Sequence, residues 1–294
     1  MKKTLIALAA VAVTTGAMAQ VTMSGKVTYG YSVTGIGSGF GTDGASLNFS
    51  TSEDLGGGLK LSASLGIDGI VETVSAASTV KANGNNITLA GGFGKISMTT
   101  GVGGDAVALD QLMSLGNGTV GSSVGYTAPA FGPVTLSFTR KSGDAALGAG
   151  AGGSNASINI FGANYAAGPV AASLSLLSWN DSTSIYDTRT VMTASYDLGV
   201  AKVGVFTATQ NWTSAATADL KNTAIQISAP VGPFAVSYES GKTSRVGTDT
   251  LNGTSLSVSY ALSKRTAVTA KTENVDTSAT AKLKTSSLLL SHSF

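Results

Sequence analysis

The stretch Val21-Thr22-Met23-Ser24-Gly25-Lys26-Val27-Thr28-Tyr29-Gly30-Tyr31-Ser32-Val33-Thr34 alternates in chemistry residue by residue. Its odd positions carry Val21, Met23, Val27, Tyr29, Tyr31 and Val33, and its even positions carry Thr22, Ser24, Lys26, Thr28, Ser32 and Thr34. Successive side chains of a strand point to opposite faces, so this segment has one apolar face and one wet face. Such strands either pack their apolar face on a second sheet or close into a barrel with lipid outside and water inside.

What precedes the stretch places it in a compartment. Met1-Lys2-Lys3 is a positive start, Leu5 to Val13 an apolar run, and Ala17-Met18-Ala19 a small-x-small site. Together they read as a secretory signal over 1–19, leaving a barrel domain over 20–294. No later segment approaches the roughly 18 uninterrupted apolar residues of a spanning helix.

Composition narrows the class. The chain has 38 Gly, 5 Pro, no Cys and only 12% charged residues, about half the charge of a soluble domain. A lipid-facing band excludes charge and accounts for the deficit. Without cysteine, an exported chain has no disulfide framework, whereas hydrogen bonds closed around a barrel hold it in lipid. Lys2 and Lys3 belong to the 18 basic residues, so the exported chain balances its 16 acids. That balance gives no support to nucleic-acid binding.

Further alternating segments follow in pairs, joined by tight turns at 53–57, 92–95, 130–133, 166–169, 197–200, 230–233 and 262–266. These turns use Gly, Pro, Asn and Asp where a reversal needs them. Sixteen strands result, with seven short turns and eight long loops. The spacing is about 17 residues for each strand and its connection, enough for the roughly 9–11 residues that a tilted strand needs to cross a bilayer. Short turns are expected toward the periplasm and long loops toward the exterior. Regions 156–165 and 199–208 fit either phase and admit bulges. Rings such as Phe93, Tyr126, Tyr165, Tyr196, Phe234 and Tyr260 fall near strand ends, where aromatic girdles form.

Four segments carry a family resemblance: Thr51-Ser52-Glu53-Asp54-Leu55-Gly56-Gly57-Gly58-Leu59, Leu89-Ala90-Gly91-Gly92-Phe93-Gly94, Tyr260-Ala261-Leu262-Ser263-Lys264-Arg265-Thr266, and Ser291-His292-Ser293-Phe294. In this order they resemble the turn motifs and terminal strand of the Gram-negative general diffusion porins. The resemblance implies a homotrimer of sixteen-stranded antiparallel transmembrane β-barrels, each an outer-membrane channel for small hydrophilic solutes, narrowed by an inward-folded third loop. It also implies membrane lipid and lipopolysaccharide around the barrel, no cofactor, and Phe294 as part of a signal read by the barrel-assembly machinery.

The third long loop spans 103–119. Val107, Leu109, Leu112 and Met113 give it an apolar side that could pack on the inner wall, turning Asp105, Asp110 and Gln111 to the pore. Lys26, Lys60 and Lys202 lie on the wet phase of their strands, with Arg189 nearer the exterior. Opposed charge of this kind sets a field across the narrowest section. Where related porins often carry constriction arginines, this chain has Ser46, Asn83 and Thr100. Weak selectivity follows, leaning to cations where the loop acids dominate.

Catalytic readings find little material. Gly101-Val102-Gly103-Gly104-Asp105-Ala106 imitates a dinucleotide fingerprint without a βαβ context or a following acid. Ser78-Thr79-Val80-Lys81 imitates a serine-hydrolase motif, but Asn83-Gly84-Asn85-Asn86 ends any helix it would open. His292 is the single histidine, which leaves no triad and no histidine metal cluster. Asp181, Asp187, Asp249 and Asp276 lack the spacing of a Ca²⁺ loop. Two other classes remain as alternatives: an adhesive or structural barrel whose loops bind a partner, and a soluble sandwich, which would need an apolar interior in place of Ser24, Thr28, Ser62, Ser255, Ser257 and Ser259.

Overall fold

The computed structural model describes residues 21–69, 81–82, 84–102, 120–143, 157–180, 186–213, 219–245, 250–276 and 281–294. The leader, Asn83 and the 103–119 segment lie outside them. The strands are β1 (Thr22–Thr34), β2 (Gly37–Gly56), β3 (Leu59–Asp68), β4 (Lys81–Ala82 with Asn85–Gly91), β5 (Gly94–Val102), β6 (Val120–Thr127), β7 (Val134–Gly143) and β8 (Ser157–Ala167). They continue as β9 (Val170–Trp179), β10 (Tyr186–Asp197), β11 (Lys202–Trp212), β12 (Leu220–Val231), β13 (Phe234–Arg245), β14 (Leu251–Ala261), β15 (Thr266–Asp276) and β16 (Lys282–Ser293). Both pieces of β4 pair with β3, and Gly84, at φ +65°, interrupts them.

Each strand pairs antiparallel with the next, and β16 pairs with β1, so the sheet closes without an edge. Closure satisfies the backbone groups that lipid cannot. At the seam the Phe294 amide donates to the Gly25 carbonyl at 3.0 Å and the Gly25 amide donates to Phe294 at 2.9 Å. The Thr28 and Ser291 hydroxyls are 3.0 Å apart. The Phe294 ring lies over Gly25, where any Cβ would strike it.

Six of the seven short turns fall within about two residues of their expected places, and the first, expected at 53–57, narrows to Gly57 and Gly58 because Glu53 and Asp54 pair with Leu61 and Lys60. Gly94 shows why glycine recurs there: its φ is +105°, and a Cβ would meet the Thr127 carbonyl. The first hairpin departs from the expectation of eight long loops. Only Gly35 and Ile36 separate β1 from β2, and β2 runs for 20 residues. Gly37, Gly39 and Gly41 face the lumen opposite Thr34, Ser32 and Gly30, while on the other face the rings of Phe40 and Tyr31 pack at 4.7 Å. Backbone pairing and that ring contact outweigh the poor strand propensity of glycine.

Bulges fall elsewhere than expected. The register slips between Thr28 and Tyr29, between Asp54 and Gly56, and between Tyr186 and Arg189. Most of β8 and β11 pairs regularly on both sides.

The outer face is apolar and exposed. Met23, Val27 and Tyr29 on β1, Met98 on β5, Phe161 on β8, Met192 on β10 and Leu288 on β16 are exposed on it. Rings pair across strands there, with Phe138 and Phe161 at 4.8 Å and Phe234 and Tyr260 at 5.3 Å. Near the short turns the Tyr126 hydroxyl donates to the Phe93 carbonyl at 2.7 Å. An apolar exterior with no second sheet over it among the described residues is the kind of surface that lipid covers.

Candidate functional site

The inner face divides into two walls. Along β14–β16 and β1–β5 it is mostly hydroxyl and amide. The Ser237 and Ser257 hydroxyls are 2.8 Å apart, Thr269 donates to Ser259 at 3.0 Å, and Asn86 donates to Thr99 at 2.9 Å. Lys271 and Glu273, two residues apart on β15 and thus on one face, form an ion pair at 2.7 Å.

Along β8–β12 the inner face is apolar instead. Ile158, Leu177, Trp179, Val191, Phe206 and Ala208 pack into one buried cluster with Ile160 and Ala224. The register places them inward, because their strand neighbours Phe161, Leu176, Met192 and Val205 are exposed on the outside. Val191 and Phe206 are each only 3% exposed. Polar groups are buried among them: Arg189, Gln210, Asn222 and Glu239. The Gln210 amide donates to the Thr188 and Asn211 carbonyls at 3.1 and 2.8 Å. Arg189, Asn222 and Glu239 are all partnered, as buried charge and amide require. Toward the short turns this wall becomes polar. Ser173, Thr193, Lys202, Gln226 and Ser228 border a cavity of about 700 Å³, with the Ser173 and Thr193 hydroxyls 2.6 Å apart.

The barrel is closed and antiparallel, with an apolar exterior and one polar inner wall, and a family model described as Gram-negative porin matches residues 5–280. The chain belongs to that family. No curated protein matches its sequence. Among solved structures, an anion-selective porin from Comamonas acidovorans is similar at a TM-score of 0.77 and 20% identity, covering 94% of this porin and 100% of the other chain. A porin refined at 1.8 Å is similar at 0.71 and 16%, and an engineered Rh. blastica porin at 0.71 and 12%, both with the same coverage. At these identities the likeness shows the fold. Family and architecture together make this an outer-membrane porin, a water-filled passage for passive diffusion of small hydrophilic solutes.

The register shows where the expected constriction residues of the porin stand. Lys26 and Ser46 are direct partners on β1 and β2, both lumenal, and Ser46 in turn faces Asp68. Lys60 and Lys202 are lumenal but lie beside short turns, opposite Asp54 and Asp197 respectively. Arg189 is lumenal, 3% exposed, and faces Gln210 and Leu177. Lys60 and Lys202 therefore share the short-turn rim while Arg189 lies toward the long-loop end, and the four cations do not form one ring. Thr100 is a correction: it pairs with Asn85 and Ser122 in the phase of Ile96, Met98 and Val124, on the outer face. The strand runs on to Val102, so Thr100 keeps the outward phase of Ile96 and Met98. Asp105, Asp110, Gln111 and Asn83 lie outside the described residues.

Sequence reading missed Lys95, the Lys271–Glu273 pair and the buried Glu239. Lys95 was recoverable: it precedes the outward Ile96 by one residue, and alternation alone turns it inward.

Proposed function

We propose that the pore is narrowed by residues 103–119 lying against the lumenal wall of β8–β12. The observation that supports this is the burial of Val191, Phe206, Leu177 and Ile158 on a face that would otherwise meet water. The apolar positions Val107, Leu109, Leu112 and Met113 suit such a wall, and Asp105, Asp110 and Gln111 then face Lys26 and Ser46 across the opening. Sorting is by width and charge, with weak selectivity and no catalysis.

The same reading holds residues 1–19 to be a cleaved signal, the short turns to face the periplasm, and the porin to assemble as a homotrimer surrounded by lipid and lipopolysaccharide after insertion by the barrel-assembly machinery, with Phe294 in its recognition signal. An outer-face row supports a protein contact. Asn85, Thr100, Ser122, Ser142 and Ser157 are successive register partners across five strands. Below this row β5 offers only Met98 and Ile96 to lipid. The Asn85 side-chain amide oxygen in this row and the Thr51 hydroxyl near it on the outer face are buried without a partner among the described residues, which is costly against lipid and readily satisfied by a neighbouring subunit.

Planar-bilayer recording tests the constriction and the assembly together. The intact porin is expected to close in three equal steps, and deletion of 105–113 to enlarge each step. Unchanged conductance from a correctly folded deletion variant overturns the loop assignment, and single-step closure overturns the trimer.

A further inference from the structure

One register row at the short-turn rim sets four strands of side chains side by side on the lumenal face. Lys60 of β3 faces Ala90 of β4, Ala90 faces Lys95 of β5, and Lys95 faces Thr127 of β6. The neighbouring positions Leu61, Leu89 and Ile96 share the outer face. Lys60 and Lys95 are thus two strand spacings apart, about 10 Å, and Ala90 between them contributes only a methyl group. One step deeper, Ser62, Thr88 and Ser97 form the next lumenal row. The Thr88 hydroxyl is committed to Asn86 at 2.6 Å, which leaves the hydroxyls of Ser62 and Ser97 free to donate.

Both lysines are exposed, and neither has an ion-pair partner among the described residues. The nearest carboxylate in the row is Asp54, opposite Lys60. One of its oxygens accepts the Gly56 amide at 2.9 Å and holds the turn. Two long, flexible ammonium stems flanking an empty methyl-floored gap can converge on one oxyanion that offers several acceptor oxygens. A monovalent halide offers no such bridging geometry.

We propose that Lys60 and Lys95 form a notch at the short-turn mouth that binds small multivalent oxyanions, of which phosphate is the simplest. The notch lies apart from the constriction and gives the channel an asymmetric affinity for phosphorylated or phosphate-like solutes. It rests on the reading of the lumen as open water and of the short-turn end as one accessible mouth. At physiological salt the Debye length is about 8 Å, so an anion senses the pair only once it has entered this rim.

The test is planar-bilayer recording at constant ionic strength in potassium chloride, with inorganic phosphate added to one side and then to the other. The porin is expected to show a saturable fall in chloride-carried current with phosphate on the short-turn side. Lys60→Gln and Lys95→Gln should each weaken that effect severalfold and together abolish it. Lys202→Gln, which removes an exposed lumenal charge at the same rim but outside the notch, should leave it in place. An equal phosphate effect in the parent and the double variant, or its loss in Lys202→Gln, overturns the notch. A parent that opens no channels overturns the reading of an open lumen instead.

Discussion

The wall of β14–β16 with β1–β5 and the wall of β8–β12 face the same lumen, yet they are built from different chemistry. The first presents hydroxyls and amides such as Ser257, Ser259, Thr269, Asn86 and Thr99, which take part in side-chain hydrogen bonds across strands. The second presents Ile158, Leu177, Val191 and Phe206, buried in a cluster. A barrel interior is therefore not one environment. One half is finished as a surface, and the other is finished as half of a core.

The contrast breaks most sharply under a charge. Phe206→Asp places an ionised carboxylate among Val191, Ala208 and Ala224, and without a partner this costs several kcal/mol. Folded, heat-resistant barrel should be largely lost on gel migration with and without heating. Ser257→Asp on the other wall should fold normally and shift the reversal potential toward cations. Equal tolerance of the two changes would show that the walls are not distinct.

Truncation sharpens it. Phe206→Ala removes a buried ring and is expected to cost about 3–5 kcal/mol. Ser257→Ala removes one hydroxyl from a hydrated pair and is expected to cost about 1 kcal/mol. Denaturant midpoints in detergent measure both, and similar shifts would contradict the division.

The smallest effect on stability belongs to the ion pair. Lys271→Met leaves Glu273 without its partner at 2.7 Å, and a quarter-exposed pair contributes about 0–1 kcal/mol. Its effect on permeation should be clearer: a reversal potential shifted toward cations that fades as salt rises. A shift toward anions, or one insensitive to salt, would place Glu273 outside the conducting path.

The same division explains what could be seen in the sequence. Strands β1, β14 and β16 were legible because lipid on one side and water on the other impose alternation. Regions 156–165 and 199–208 fitted either phase because Ile158, Ile160, Phe206 and Ala208 make their lumenal side apolar as well. Two apolar faces carry no phase. Turns were legible through Gly, Pro and Asp, as at 262–266, where the Ser263 hydroxyl accepts the Arg265 and Thr266 amides at 3.1 and 3.0 Å. The upper part of β2 was hidden by its glycines, which read as a loop and act as a strand only through their pairing with β1. Of the expected site, Lys26 with Ser46 emerged as neighbours, because both lie in strongly alternating segments. Thr100 was misplaced because it was matched to a family position and not to the phase of Ile96 and Met98, which turns it outward.

The seam between the first and last strands closes the barrel through its pairings of longest sequence separation. The Thr28–Ser291 contact joins residues 263 positions apart, and the Phe294 ring rests on Gly25. Nothing nearer in sequence can substitute for that pairing, and until β16 reaches β1 two strand edges stay open. A chain that lost β16 would be left as a curled sheet with unpaired margins.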